Sequence, residues 1–265
     1  MREQAVSIPK WGRVGRSGKA EAIRDTIFLA SHAKPTGRWM DVGCGNGEMA
    51  AFLAPSVSSM VGVDPDPWPS WPQLGRDHSN LTLRTAFFDG VDCPFPAESV
   101  DVVVCNQVYE HVSNPEALIG NIAKVLAPGG VCYFAGPNLL WPIEPHVFWP
   151  LVHWLPRSTA QRLMKALGSR KFNELDAYST HFLRLRGWFA LHGLEVRNAI
   201  GERLCVELRR RGWASMAAVV HSLPPLVFRL LEPLAPGFVF ILAKPQRAGM
   251  ISPAEVSAQR RPQDG

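Results

Sequence analysis

A glycine-rich turn between an apolar run and a helical pattern constrains this chain more than any other feature. The apolar run Arg38–Val42 contains an acid, Asp41, and helical spacing begins at Glu48. Between them lie three glycines at alternate positions, Gly43, Gly45 and Gly47. In α/β proteins, a strand, a glycine loop and a helix in this order present bare backbone N–H groups to a ligand. Glycine is required because the loop turns tightly and a Cβ would keep the ligand away.

The spacing of the glycines separates two classes of ligand. The dinucleotide fingerprint is G-x-G-x-x-G with a pyrophosphate at the helix N-terminus, whereas this loop has the spacing G-x-G-x-G. The carboxylate of Asp41, two residues before the first glycine, would repel a pyrophosphate and suits a ligand with an ammonium and a sulfonium group. A second acid, Asp64, closes the next apolar run, 60–63. At the end of a second strand, its carboxylate can accept hydrogen bonds from both hydroxyls of a ribose.

Further short motifs follow at the ends of the next predicted strands. Asp89 and Gly90 follow the alternating run 81–88, and the loop 93–95 comes next. A valine-rich strand begins with the pair 100–101 and ends at Asn106, and Glu110 and His111 follow it. Pro128-Gly-Gly130 precedes the strand 131–135. Together with the glycine loop, these motifs over residues 38–136 resemble the class I S-adenosylmethionine-dependent methyltransferases. The resemblance is closest to the broad group that includes the ubiquinone and menaquinone methyltransferases.

The resemblance implies a doubly wound, Rossmann-like α/β fold with a seven-stranded, mostly parallel sheet in the order 3-2-1-4-5-7-6. The last strand, 238–243, would run antiparallel beside the fifth. Residues 137–171, which we call the lid segment, leave the fifth strand and begin with a stretch rich in tryptophan, proline and histidine. Because ligands bind outside the carboxyl ends of parallel strands, we expect the lid segment to cover the substrate.

The resemblance also implies S-adenosylmethionine as the cofactor and assigns residues to it. The implied cofactor-binding residues are Asp41, Gly43, Cys44, Gly45, Asp64, Asp89, Gly90 and Asn106. Asp41 would meet the amino group of the methionine part, and the loop backbone would approach its carboxylate and the ribose. Asp64 would hold the ribose hydroxyls, and Asp89 with the Gly90 amide would bind the edge of the adenine. Asn106 would line the methionine part.

Composition places the chain among folded proteins and divides it into three parts. The 265 residues are 46% hydrophobic and 19% charged, which favours a packed core over disorder. We predict a polar arm over 1–20, a methyltransferase domain over 21–245 with an apolar helical insertion over 201–237, and a disordered tail over 246–265. The net charge is +5, but no long basic run alternates with aromatic residues, so we expect no nucleic-acid partner. The densest basic cluster, 209–211, is expected to be a solvated helix face.

The cysteines indicate a reducing compartment. None of the five lies at a C-x-x-C or zinc-ligand spacing, and Cys44, Cys105 and Cys132 fall in or beside central strands, where thiols are buried. The basic N-terminus is not followed by an apolar segment, so no signal peptide is expected. We therefore predict a cytoplasmic protein that can associate with membranes, and no metal site. The oligomeric state cannot be derived from the sequence.

Two histidines are candidates for a general base, which is needed when the methyl acceptor must lose a proton. His146 lies in the lid segment close to Glu144 and is the preferred candidate, although a structural histidine in a proline-rich turn fits equally well. His111 follows the fourth strand, where the resemblance implies an ordering role more often than a catalytic one. His181, beside a predicted helix cap at 179–180, fits a solvated helix start better than a substrate pocket.

A long apolar stretch, 213–231, approaches the length of a membrane span. His221, Arg229 and the pair of prolines at 224–225 argue against a spanning helix. Two alternatives stay open: the stretch packs in the core, or it lies on a membrane or a lipid substrate with the cluster 209–211 alongside.

These observations predict a methyltransferase that methylates an oxygen of a small or lipid-like acceptor, such as a quinone, a polyketide or a glycan-linked metabolite. Carbon and nitrogen acceptors are not excluded. Two other classes of protein also remain open. One is a protein that binds S-adenosylmethionine without catalysis and serves as a regulator or partner subunit. The other is a nucleotide-binding oxidoreductase, against which the glycine spacing and Asp41 count.

Overall fold

A seven-stranded sheet forms the centre of the protein. The computed structural model describes residues 17–246 except 32, 34, 35, 92, 145, 146 and 176–179. The strands are β1 (Arg38–Val42), β2 (Ser59–Asp64), β3 (Leu81–Thr85), β4 (Val100–Asn106), β5 (Leu126–Pro137), β6 (Glu195–Asn198) and β7 (Gly237–Ala243). Their order is β3-β2-β1-β4-β5-β7-β6, and β7 runs antiparallel to both of its neighbours while the other neighbouring pairs are parallel. The predicted sheet order and the antiparallel last strand are confirmed.

Helices cover both faces of the sheet. They are α1 (Ser17–Ala30), α2 (Glu48–Leu53), α3 (Trp71–Asp77), α4 (Pro115–Val125), α5 (Arg157–Ala166), α6 (Phe182–Leu191), α7 (Ile200–Arg210), α8 (Ala214–Ser222) and α9 (Pro225–Leu231). One hydrophobic cluster joins α4 and α6 to the sheet and contains Val103 and Cys105, and the other joins α1 and α2 to the opposite face and contains Val102 and Val104. The valine run of β4 is therefore buried on both faces, as predicted.

Two predicted boundaries are wrong because contacts from distant parts of the chain decide them. The first helix begins at Ser17, inside the stretch 1–20 that was predicted as a polar arm, since Ala20 is already fully buried against the sheet. The third strand ends at Thr85 rather than at residue 88. Within the described residues β3 pairs with β2 alone, and β2 ends at Asp64 opposite Thr85, so the pairing stops there.

The start of β5 also differs from the prediction. The strand begins at Leu126 rather than at residue 131, because Leu126 has extended backbone and pairs with Val100. As a result, residues 128–130, which were expected to separate the helix from the strand, lie within β5. The ammonium of Lys244 donates hydrogen bonds to the carbonyls of Ala123 and Leu126, at 2.9 and 2.8 Å. A cation that binds the last carbonyls of a helix in this way stabilises its C-terminus.

The region predicted as an apolar insertion forms α7, α8 and α9, which contact α1 and the edge strand β6. Of residues 213–231, all of which the structure describes, Ala217 alone is buried. Packing in the core, one of the two alternatives for this stretch, is therefore wrong. Within the described residues no single helix has the length and apolarity to cross a membrane, whereas α8 and the segment Pro225–Leu234 meet both criteria together and are bent by 90°.

A buried ion pair attaches the end of this region to the sheet. Glu232 is 1% exposed, and its carboxylate accepts hydrogen bonds from Nε and Nη2 of Arg186 on α6, at 3.2 and 2.8 Å. Asn198 at the end of β6 donates to the same carboxylate at 2.8 Å. The side-chain amide of Asn138, just after β5, donates to the carbonyls of Glu232, Pro233 and Ala235. These contacts hold the chain after α9 against the carboxyl ends of β5 and β6.

We expect Glu232→Ala to lower the free energy of unfolding by about 3 kcal/mol, because it leaves the largely buried guanidinium of Arg186 without a counter-charge. Urea unfolding of the full chain measures this change. Glu195→Ala is the matched control, since Glu195 is exposed on β6 and its loss should cost less than about 0.5 kcal/mol. Equal midpoints for the two variants would contradict this account of the ion pair.

Candidate cofactor-binding site

The glycine loop, residues 43–47, has backbone angles that L-residues with a side chain rarely adopt. The φ angles of Gly43, Gly45 and Gly47 are 69°, 54° and 81°, all in the left-handed region. The amides of Gly43 and Cys44 both donate to the carbonyl of Val63, at 2.8 and 3.0 Å. The loop is therefore fastened to the end of β2 immediately before α2 begins.

Two glycines allow neighbouring elements to approach the loop closely. A Cβ on Gly43 would lie 2.5 Å from Cγ2 of Val108, which belongs to the loop after β4. A Cβ on Gly62 in β2 would lie 3.0 Å from the thiol sulfur of Cys44. The Cys44 side chain is thus packed against β2 and is 3% exposed, so its contribution to a ligand site is its backbone. That contribution stays a prediction.

Asp64 lies at the carboxyl end of β2 with its carboxylate held by two amides. Oδ2 accepts from the amide of Gly45 at 2.8 Å, and Oδ1 accepts from the amide of Asp66 at 3.1 Å. Each carboxylate oxygen has two lone pairs, so both oxygens retain acceptor capacity for two hydroxyl groups. The structure therefore brings Asp64 to the glycine loop, where the sequence predicted it.

The glycine loop lies in a negative electrostatic environment. Asp41 is fully buried in β1, between Gly62 of β2 and Val104 of β4. Burial raises the pKa of the Cys44 thiol well above its usual value, and the negative charges of Asp41 and Asp64 raise it further. Two carboxylates around a desolvated loop attract a cationic ligand and repel an anionic one.

Asp89 and Gly90 lie in the turn after β3, which α4 holds in place. Oδ2 of Asp89 accepts from the amides of Ser113 and Asn114, at 2.9 and 3.4 Å, beside the N-terminus of α4. A carboxylate at a helix N-terminus is stabilised by the unpaired amides there. The side chain of Asn121 on α4 donates to the carbonyls of Phe88 and Gly90, at 2.9 Å each. Adenine binding by Asp89 and Gly90 stays a prediction.

Three side chains that position these loops were not predicted from the sequence. The Trp71 indole donates to the carbonyl of Gly45 at 2.9 Å, and the Ser70 hydroxyl donates to the carbonyl of Asn46 at 2.6 Å. Asn121 is the third, and it is 6% exposed. A polar residue on the buried stripe of an amphipathic helix needs a hydrogen-bond partner, so Asn121 could have been found from its position. Trp71 and Ser70 carry no comparable signal.

The loop after β4 turns sharply at the edge of the site. Asn106 ends β4 and is half-buried, and the next residue, Gln107, has a φ of 60°. The buried Tyr109 side chain donates its hydroxyl proton to the carbonyl of Pro137 and accepts from the amide of Thr180 at 3.3 Å. This phenol links the loop to the end of β5 and to the chain before α6. A contact of Asn106 with a cofactor stays a prediction.

Of the two candidate bases, the structure describes His111 alone. His111 is exposed in the loop after β4, and its amide donates to the carbonyl of Val108 at 2.9 Å. His146 lies outside the described residues. Its neighbour Glu144 is 1% exposed and accepts from the amide of Val147 at 2.7 Å, so this carboxylate orders the turn.

His181 is itself the cap of α6, because its Nδ1 accepts from the amide of Arg184 at 3.2 Å. The prediction that residues 179–180 cap this helix is therefore wrong. Thr180 instead forms an isolated bridge with Asn138, and residue 179 lies outside the described residues.

The three acids form a set of acceptors that fits S-adenosylmethionine. Asp41 and Asp64 lie toward the carboxyl ends of β1 and β2, and Asp89 follows β3. Since parallel strands end at one edge of the sheet, the three acids lie along the same edge, where open parallel sheets bind their ligands. The cofactor offers donors to match them: an ammonium, two ribose hydroxyls and an exocyclic amine. A dinucleotide would bring its pyrophosphate against the same carboxylates.

Comparisons with known proteins agree with this fit. A family model described as a methyltransferase domain matches residues 15–198. An uncharacterised methyltransferase of Mycobacterium leprae (strain TN) is 30% identical over 159 residues, which are 58% of this chain and 57% of that protein. The match therefore spans less than two thirds of the relative's length.

Solved structures share the fold at low sequence identity. An S-adenosylmethionine-dependent methyltransferase from Mesorhizobium loti has a TM-score of 0.53 and 15% identity, and the match covers 86% of this chain and 100% of that chain. The [4+2]-cyclase SpnF has a TM-score of 0.53 and 14% identity, with 89% and 84% coverage. The family match covers more than half of the residues, and the sheet order is the one that the sequence motifs predicted. This chain belongs to the class I S-adenosylmethionine-dependent methyltransferases.

Proposed function

We propose that this protein transfers a methyl group from S-adenosylmethionine to an oxygen of a small or lipid-like acceptor. The observation that carries the proposal is the Asp64 carboxylate, which two amides hold at the glycine loop. Asp64 is a fixed hydrogen-bond acceptor for ribose hydroxyls, and the glycine loop beside it lies in a negative electrostatic environment. Both features suit a cofactor that carries a ribose and a sulfonium. The family membership favours a methyltransferase over the oxidoreductase alternative.

The cofactor supplies a methyl group that its sulfonium already activates for displacement. The protein therefore has to position donor and acceptor in line and exclude water. The carboxylates of Asp41 and Asp64 would balance the positive charges of the bound cofactor, and Trp71 with Ser70 keeps the loop in shape. A base is needed in addition only where the acceptor is a hydroxyl.

The lid segment supports an apolar acceptor. It follows β5, whose carboxyl end faces the same crevice as those of β1 and β4. The segment and the residues just after it form a separate hydrophobic cluster of Val147, Val152, Ala160, Met164 and Leu175. Other large apolar side chains remain in solvent, among them Phe148 at 72% and Trp154 at 51% exposure. Exposed apolar groups on a segment beside an active site favour an acceptor that buries them.

A second candidate is a protein of this fold that does not transfer methyl groups. The similarity to the cyclase SpnF illustrates why a methyltransferase fold does not fix the reaction. The three acids would hold the cofactor in either case, so turnover has to separate the two functions.

Label transfer from methyl-labelled S-adenosylmethionine to a cell extract tests the proposal. We expect the purified protein to place label in the organic-soluble fraction. Asp64→Ala should lower the transfer about tenfold or more, because it removes a charged acceptor of the ribose hydroxyls. Asp77→Ala is the matched control, since Asp77 is an exposed acid at the end of α3 and its loss should change little.

Each outcome of the label transfer has a defined meaning. Label in the aqueous fraction would replace the lipid-like acceptor by a sugar or another small metabolite. If Asp64→Ala transfers as much label as the unchanged protein, the proposed role of this carboxylate is contradicted. Binding of S-adenosylmethionine with no transfer to any fraction would favour the candidate without catalysis.

The two candidate bases are distinguished by substitution with glutamine. We expect His146→Gln to lower kcat about a hundredfold, which is typical for the loss of a general base, and His111→Gln to have a smaller effect because His111 is exposed. His78→Gln is the control, because His78 lies just before β3. This edge strand is separated from β5 and the lid segment by β2, β1 and β4. Full turnover by His146→Gln would remove this histidine as the base.

A further inference from the structure

An apolar surface on α8 and α9 has no partner within the described part of the chain. Two stripes of large side chains at helical spacing form this surface, which we call the α8–α9 surface. One stripe is Met216, Val219 and Leu223, with exposures of 53%, 63% and 38%. The other is Leu226, Leu230 and Leu234, with exposures of 60%, 69% and 68%. Soluble monomers rarely expose so many large apolar side chains on two successive helices without a binding function.

The opposite sides of these helices are the ones that pack on the protein. Ala217 of α8 is buried, and its carbonyl accepts from the thiol of Cys205 on α7 at 3.4 Å. Phe228 of α9 lies so close to Gly201 that a Cβ there would be 2.7 Å from its ring. The stripes are therefore the outward faces of two helices that are already docked on α7.

The charges around the α8–α9 surface are positive. Residues 208–231 contain four arginines and no acid. The two acids that bracket this stretch are neutralised, because Glu207 pairs with Arg203 and Glu232 pairs with Arg186. Of the four arginines, Arg210 pairs with Glu21. No ion pair to the other three, Arg209, Arg211 and Arg229, is found within the described residues, and all three are exposed.

We propose that the α8–α9 surface docks this protein on an anionic lipid surface. Leucine, valine and methionine side chains would enter the boundary between headgroups and acyl chains, and the arginines would meet anionic headgroups. A symmetric dimer through the same surface is disfavoured, because an isologous interface would place the unpaired arginines of both copies around one patch.

The α8–α9 surface is connected to the crevice that holds the cofactor. The chain just after α9 is fastened by Asn138, which donates to the carbonyls of Glu232, Pro233 and Ala235 directly after β5. Asn138 is also the second residue of the lid segment. Docking through α8 and α9 would thus bring the lid segment close to the lipid, although docking itself does not depend on the proposed reaction.

Flotation of the full chain with vesicles tests docking without cofactor or acceptor. We expect binding to phosphatidylcholine vesicles that contain phosphatidylglycerol, weaker binding at high salt, and no binding to phosphatidylcholine alone. Leu230→Gln should weaken binding about tenfold, the effect of losing one buried leucine. Arg229→Gln should weaken it about fivefold. Leu191→Gln is the matched control, because Leu191 on α6 is 67% exposed, close to the 69% of Leu230.

Three results would overturn the proposal once urea midpoints show that the variants are folded. The first is a protein that stays at the bottom of the gradient with anionic vesicles. The second is an equal loss of binding in Leu230→Gln and Leu191→Gln. The third is a concentration-dependent dimer that Leu230→Gln dissociates while vesicle binding is unchanged, which would make the surface a contact between copies of this chain. Failure of docking would leave methyl transfer, measured separately, unaffected.

Discussion

The loop 43–47 has to fit between the end of β2 and the loop after β4, and the rest of the site depends on that fit. Its amides are fastened to the carbonyl of Val63, and Val108 lies where a side chain on Gly43 would be. Three left-handed backbone positions let the chain turn from β1 into α2 within five residues. Because the turn is so tight, a carboxylate at the end of β2 can reach a loop amide.

The candidate cofactor site consists of acids that the fold holds in place. Asp64 is fixed by two amides and Asp89 by the N-terminus of α4, while Asp41 is fully buried in β1. Asp64 and Asp89 already accept hydrogen bonds from amides, and the negative charge of three acids suits a donor with an ammonium and a sulfonium. Methyl transfer from such a donor depends mainly on alignment and on the exclusion of water. The loop after β4 and the lid segment are the elements that can supply both.

Sequence patterns predicted the features that depend on neighbouring residues. The predicted bounds of β1 and β4 are confirmed, since a mostly apolar run between turn residues leaves little freedom. The strand order, which the family resemblance implied, is confirmed as well. The features that sequence missed depend on distant contacts: Leu126 joins β5 because it pairs with Val100, and Trp71 binds a carbonyl 26 residues away. The sequence also could not predict that α8 and α9 are exposed, because an apolar pattern does not tell whether a protein or a lipid covers it.

Whether the glycine loop holds S-adenosylmethionine can be measured by calorimetric titration with the product, S-adenosylhomocysteine. Gly43→Ala puts a side chain on a left-handed residue and against Val108, whereas Gly75→Ala fills open space in α3. We expect folded Gly43→Ala to bind S-adenosylhomocysteine at least about tenfold more weakly, from backbone strain of about 1–3 kcal/mol. The affinity of Gly75→Ala should be unchanged. Equal affinities of the two folded variants would show that the ligand binds elsewhere and contradict the account.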